Sequence, residues 1–172
     1  LSGALNIGLK MVGGEYVARM DADDICLPAR IGKQVDYLSE HSEVGVVGSF
    51  VETFSEATID ATTGGSGDEH VVRYPTAVGA VDAGMLFRSV LAHPAVMFRR
   101  KVLAGLGLVY EGKFRYAQDY ALWLGCLRCG VGLANVGEVL LHYRVHGGQL
   151  SASNEAMQAE GTVIRSRFLR WF

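Results

Sequence analysis

Cysteine is scarce in this chain, long apolar runs are missing, and neither sign of charge dominates. Three cysteines in 172 residues, an odd number, argue against a disulfide framework and fit a reducing compartment, so a cytoplasmic location is expected. No window approaches the length of a membrane span. Leu1 to Met11, interrupted by Ser2, Asn6 and Lys10, does not read as a secretion signal. Lys plus Arg number 16 against 18 Asp plus Glu, a net charge of −2. That excludes the broad positive field with which proteins take up nucleic acid or an acidic membrane surface. No internal repeat is present. What is there is a hydrophobic fraction of 49%, enough at this length for one domain with a real core.

The apolar patterning alternates between strand and helix. Leu1, Leu5 and Leu9 have helical spacing that stops at Gly13-Gly14, so the chain is expected to begin inside or just before a helix, as a domain incomplete at its N-terminus. Tyr16 to Met20 reads as a strand. Pro28 opens a helix whose apolar face carries Ile31, Val35 and Leu38. Val44 to Val47 is a β-branched strand that could continue past Ser49. Residues 55–68, rich in Ser, Thr, Ala and Gly, are expected to be a flexible loop or insertion. "AVDAGMLFRSVL" reads as a helix, "AHPAVMFRR" as a short strand, and "KVLAGLGLVYEGKF" as a short helix running into a loop. "AQDYALWLGCLRCG" is the clearest helix, with Tyr120, Trp123, Leu124 and Leu127 in one stripe and Gly130 where a C-cap belongs. "VGLANV" and "EVLLHYRVH" read as two short strands, and a last helix runs from about Asn154 to Phe172. Alternating strands and helices give an α/β domain.

The chemistry concentrates in "EYVARMDADDICLPARI", residues 15–31. Three carboxylates, Asp21, Asp23 and Asp24, fall within four positions at the end of a strand. On an extended strand Asp21 and Asp23 point the same way. Such a cluster needs a cation, several donors, or a proton on one carboxyl group. Hard oxygen donors suit Mg²⁺ or Mn²⁺, with free positions left for substrate phosphates. A plainer reading has Asp23 or Asp24 capping the helix at Pro28. Ligands sit at strand ends in α/β sheets, which favours the functional one.

At this point the sequence resembles a known family. "ALNIGLKMVGGEYVARMDADDICLPARIGKQVDYL" is similar to family-two glycosyltransferases, and "HPAVMFRR", "QDYALWLGCLRCG" and "EVLLHYRVHGGQLS" follow in that family's order. The resemblance leaves out only the loop 55–68 and the last helix. It implies the GT-A fold, a Rossmann-like α/β nucleotide-diphospho-sugar transferase fold, and an inverting transfer from a nucleotide-sugar, usually a UDP-sugar. The acceptor would be a hydroxyl of a glycan or lipid-linked sugar. Asp21-Ala22-Asp23 matches the family's D-x-D: Asp21 would lie near the ribose or the metal and Asp23 would hold the metal, Asp24 sharing that task. The family's Glu-Asp pair falls on Gln118-Asp119, which gives Asp119 the place of catalytic base and replaces its neighbour by Gln118. His146 matches a His that approaches the metal or the diphosphate. The family's N-terminal portion, which binds the nucleotide base, has no match here, so the chain reads as the C-terminal portion of the domain and this piece alone is expected to be inactive.

In-line displacement at an anomeric carbon needs a carboxylate on the acceptor side and positive charge at the departing diphosphate. Asp119 at a helix N-terminus is expected to keep a low pKa. Plain N-capping would also account for an Asp there. Trp123 is either a sugar platform or core. His93, before Pro94, either lines the acceptor cleft or has no role. Arg144 either reaches the diphosphate or sits on the surface. Two other features compete. Cys126-x-x-Cys129 with His142 and His146 has zinc-finger spacing, but its cysteines lie on an amphipathic helix and its histidines on a strand. A nucleotidyltransferase would also place a carboxylate-bound metal at a strand end but would not predict Asp119. Gln118 leaves room for a nucleotide- or sugar-binding module without catalysis. "RSRFLRWF" could touch a membrane through Phe168, Trp171 and Phe172, or pack on the core.

Overall fold

In the computed structural model, residues 1–55, 70–147 and 154–170 are described. Helix α1 (Ser2–Met11) leads to β1 (Tyr16–Ala18), the acidic turn and a two-residue strand β2 (Ile25–Cys26). Then come α2 (Arg30–Glu40), β3 (Val44–Phe54), β4 (His70–Val72) and α3 (Val78–Met85). A 3-10 turn at His93–Ala95 precedes β5 (Met97–Arg99), α4 (Arg100–Gly105), α5 (Gln118–Arg128), β6 (Gly132–Arg144) and α6 (Asn154–Leu169). Most of the loop read over 55–68 lies outside the described residues.

The six strands form one mixed sheet in the order β1-β5-β3-β6-β2, with β4 on β3. β3 and β6 run parallel and the other pairs antiparallel. Because side chains alternate across a strand, two adjacent rows face opposite layers. Val46, Phe98 and Leu133 join the large core around Trp123, Tyr120, Ile164 and Phe168. Val47, Met97 and Ala134 join a smaller core with Leu38 of α2. The sheet is thus covered by α2 on one face and by α5 and α6 on the other.

Two strand expectations change. The stretches read as two short strands are one, β6, whose register against β3 is irregular around Ser49 and Phe50. The bulged segment Gly137-Glu138 looks like a break in sequence and is absorbed by the ladder. β1 ends at Ala18, and the chain turns through Ala22 and Asp23 to β2, so strand alternation does not place Asp21 and Asp23 together. α5 ends as expected. Gly130 takes φ +75°, its N–H reaches Leu127 C=O at 2.9 Å, and Val131 N–H reaches Cys126 C=O at 3.0 Å, the paired bonds of a glycine-terminated helix.

Candidate active site

The acidic turn is held from below by a buried arginine. Arg30, 1% exposed, donates to the carbonyls of Arg19 (2.7 Å) and Val96 (3.3 Å) and to Gln34 Oε1 (3.1 Å). Gln34 in turn donates to the carbonyls of Ala95 and Val47. One helical turn of α2 therefore ties together the end of β1, the His93–Ala95 turn and β3. No aspartate caps α2, whose N-cap is Ala29 without a side-chain bond, so the capping reading of Asp23 and Asp24 is set aside.

Each carboxylate of the turn has its own partner. Arg19 grips Asp21 with both terminal nitrogens, at 2.5 and 2.8 Å. Asp23 Oδ2 lies 3.1 Å from His146 Nε2, and the Asp23 carbonyl accepts from Arg144 Nε at 3.0 Å. Asp24, 7% exposed, accepts the Arg144 backbone N–H at 2.9 Å with Oδ1. Its Oδ2 is buried with no hydrogen-bond partner among the described residues. Burial pushes the Asp24 carboxyl up to about 6, with the charges of Asp21 and Asp23 adding to the rise against the Arg144 N–H and Arg19. β2 makes this assembly: its pairing of Ile25 with His142 and Cys26 with Leu141 lays the turn against the end of β6. The Arg144 guanidinium also covers the Phe54 ring at 4.7 Å.

Asp119 stands in the first turn of α5 and is partly buried. It is not the N-cap, a place held by Ala117, so plain capping does not account for it. The low pKa expected from the helix N-terminus is also corrected. Burial pushes the Asp119 carboxyl up to about 6, against the opposing pull of the Tyr120 N–H, its own N–H and the Arg19 charge. Desolvation outweighs the helix dipole at this depth. Near it, His93 Nε2 lies 3.0 Å from the Tyr110 hydroxyl, and burial, helped by Arg19, drives His93 well below its usual value. His93 is a neutral ring at the pH of the cell.

Arg19 is the residue that sequence reasoning missed. It clamps Asp21, and its charge acts on Asp24, Asp119, His93 and Tyr110. The acidic turn and Asp119 thus both lie within the influence of the Arg19 charge. The signal was available: Arg19 is the basic residue two positions before Asp21.

Other sequence assignments fare differently. Trp123 is fully buried in the main core and presents no face to a sugar, so it is a core residue. Gln118 is 4% exposed with Oε1 unpartnered among the described residues. The zinc-finger reading fails. Cys126 is buried in the main core, where its thiol is pushed up to about 12, while His142 pairs with Glu52 at 3.3 Å beside β2. Among the described residues no three His, Cys, Asp or Glu side chains converge in a ready-made metal centre. The acidic turn nevertheless fits a hard divalent ion: it offers carboxylate oxygens, and the orphaned Asp24 Oδ2 lies buried beside two like charges. Phe168 packs into the core, which removes it from a membrane contact, and Trp171 and Phe172 lie outside the described residues. Among those described, no helix is long and apolar enough to cross a membrane.

A model of the family described as "Glycosyl transferase family 2" matches residues 1–106. The chain belongs to glycosyl transferase family 2. Within it, the chain is 35% identical over 151 residues to an uncharacterized glycosyltransferase of Haemophilus influenzae, covering 87% of this chain and 46% of that protein. It is 35% identical over 144 residues to the amylovoran biosynthesis glycosyltransferase AmsE of Erwinia amylovora, covering 84% and 50%. The chain thus spans about half the length of these curated relatives. Its fold is similar to that of S. aureus TarS 1-349 in complex with UDP-GlcNAc, with a TM-score of 0.60 and 15% identity over 95% of this chain and 50% of that one. It is also similar to glucosyl-3-phosphoglycerate synthase from Mycobacterium tuberculosis in complex with Mg²⁺ and UDP, with a TM-score of 0.57 and 16% identity over 96% and 54%. The fold of this family 2 chain is therefore the GT-A type α/β fold expected from sequence.

Proposed function

We propose that the chain is the catalytic part of an inverting, metal-dependent glycosyltransferase. It would move a sugar from a nucleotide-sugar, a UDP-sugar, to a hydroxyl of a glycan or lipid-linked sugar. The observation that supports this reading is that Arg19 pairs with Asp21 and its charge also acts on Asp119; on this reading the two carboxylate groups would serve the two ends of one displacement. Asp21, Asp23, Asp24 and His146 would hold Mn²⁺ or Mg²⁺, which when bound offsets the charge growing on the departing diphosphate. Arg144, whose guanidinium spans Asp23 and Phe54, would add positive charge to that side.

On the acceptor side, Asp119 takes the hydroxyl proton as that oxygen forms its bond to the anomeric carbon and the bond from that carbon to the diphosphate breaks. A carboxyl group pushed up to about 6 is mostly ionised at pH 7.5 and is a stronger base than an ordinary aspartate. The neutral His93 ring, partly exposed and held by the buried Tyr110 hydroxyl, would offer a hydrogen-bonding group to an acceptor sugar without adding charge beside the base.

The alternative, a nucleotide- or sugar-binding module without transfer, draws on Gln118, which stands where the family has Glu and is buried. Calorimetry and a transfer assay on the protein at its full natural length separate the two. Asp23→Ala is expected to abolish Mn²⁺-dependent UDP binding. Asp119→Asn is expected to bind UDP normally and to transfer no sugar. Transfer at the parental rate by Asp119→Asn removes the base from the scheme, and UDP binding without UDP release by the parent protein favours the module.

A further inference from the structure

We propose that Glu160, on α6, is a positioning residue for Asp119: its carboxylate latches the backbone that leads into α5 and so fixes where Asp119 stands. This rests on the reading of Asp119 as the base. Glu160 Oε1 accepts the Arg115 N–H at 2.9 Å, and Oε2 accepts those of Tyr116 at 2.8 Å and Ala117 at 2.9 Å. Three consecutive backbone donors converge on one side chain drawn from 43 to 45 residues away in the sequence.

The local sequence offers no substitute. Ala117 occupies the N-cap of α5 and has no side-chain acceptor, whereas helix starts are ordinarily closed by Ser, Thr, Asp or Asn. Asp119 is the acidic residue of the first turn, and its carboxyl is engaged with its own N–H and that of Tyr120. With Glu160 holding the amides just before the helix, the backbone that carries Asp119 into the first turn of α5 is fixed. Burial raises the Glu160 carboxyl, but the three N–H bonds outweigh it and hold the group below its usual range.

The latch is mounted on a rigid element. Ile164 and Phe168 of α6 are buried in the same core as Tyr120 and Leu124 of α5. Arg165 donates to the Phe87 carbonyl at 2.8 Å, and Arg167 reaches Glu111 at 3.3 Å. Any shift of α6 is therefore passed to residues 115–117. An error of about 1 Å in placing a reacting group can cost on the order of a hundredfold in rate.

The test uses the protein at its full natural length, with Glu160→Ala and Glu160→Gln, and Asp119→Asn as reference. Hydrogen exchange at the amides of residues 115–117 is expected to quicken at least tenfold in Glu160→Ala and less in Glu160→Gln, which keeps one acceptor oxygen. The Mn²⁺-dependent affinity for UDP is expected to stay within twofold. With whichever of UDP-glucose, UDP-galactose and UDP-N-acetylglucosamine is turned over, kcat should fall at least tenfold and KM for the donor change less than twofold. Glu160→Gln should recover part of kcat. In an Asp119→Asn background, Glu160→Ala should cost little further, because it acts through the group already removed. Unchanged exchange at 115–117 overturns the latch, and so does a loss of kcat and of UDP affinity in the same proportion. Full transfer by Asp119→Asn, with exchange still quickened in Glu160→Ala, overturns the catalytic consequence and marks the base reading as the part that failed.

Discussion

Asp119→Asn should make the protein more stable at neutral pH while stopping its chemistry. The Asp119 carboxyl is pushed from 3.8 up to about 6, chiefly by burial. The folded protein therefore binds this proton more tightly than the unfolded chain does. The stabilising contribution of the protonated group is fully present below pH 3.8 and is lost as pH rises through 6. A shift of about two units corresponds to roughly 3 kcal/mol at pH 7. Asparagine keeps the shape and never ionises, so it should recover much of this, reduced because the amide accepts the Tyr120 N–H less strongly than a carboxylate. A net gain of about 1–2 kcal/mol is expected at pH 7.5. At pH 4.5 the wild-type group is already protonated in the folded state, and the gain should shrink by about 2 kcal/mol, to nothing or to a small loss. Urea unfolding of both proteins at the two pH values measures this directly. A destabilisation of the same size at both would refute the claim that Asp119 carries a buried charge at neutral pH.

Arg30→Met should cost about 2–4 kcal/mol by the same urea assay. It strips the Arg19 and Val96 carbonyls and Gln34 Oε1 of their buried donor, a loss that relief from burying a charge offsets only in part. Gly130→Ala should lose about 1 kcal/mol in thermal unfolding, because φ +75° forces a Cβ into the left-handed region. With a thiol reagent under native conditions, Cys26 and Cys129 should react and Cys126 should not until the protein unfolds, since only the first two are exposed; the purified chain should carry no stoichiometric zinc.

The elements with strong periodicity were legible in the sequence. α5 shows its stripe, its start and its terminating glycine, and the buried run Val44 to Val47 announces the central strand. β2 was not legible, because a two-residue strand has no period to detect. It is nevertheless the piece that brings Asp23 and Asp24 against Arg144 and His146. The two halves of β6 looked separate because a bulge hides the continuity of a ladder whose partner is distant in sequence. Depth was the other hidden variable. Trp123 at helical spacing could have faced a ligand or the core, and only packing decides. Asp119 illustrates the same limit in its charge: the helix start is a local feature that lowers a carboxyl pKa, while the burial that overrides it comes from elements far along the chain.

The repulsion among Asp21, Asp23 and Asp24 has a structural answer that does not require an ion to be resident. Arg19, His146 and the Arg144 N–H each serve a different carboxylate, and Arg30 fixes the backbone of Arg19 from beneath. An arriving cation therefore competes with partners already in place instead of filling a gap, except at the orphaned Asp24 Oδ2. Competition of this kind weakens the hold on a bare ion. On the proposed reading, a nucleoside diphosphate bound with the ion would supply further oxygens and give Arg144 a new anion. On that reading, the arrangement would favour joint capture of metal and donor over storage of metal. Because the Arg19 charge acts on both the acidic turn and Asp119, any loosening of its grip on Asp21 during such capture would alter the field at Asp119, the proposed base.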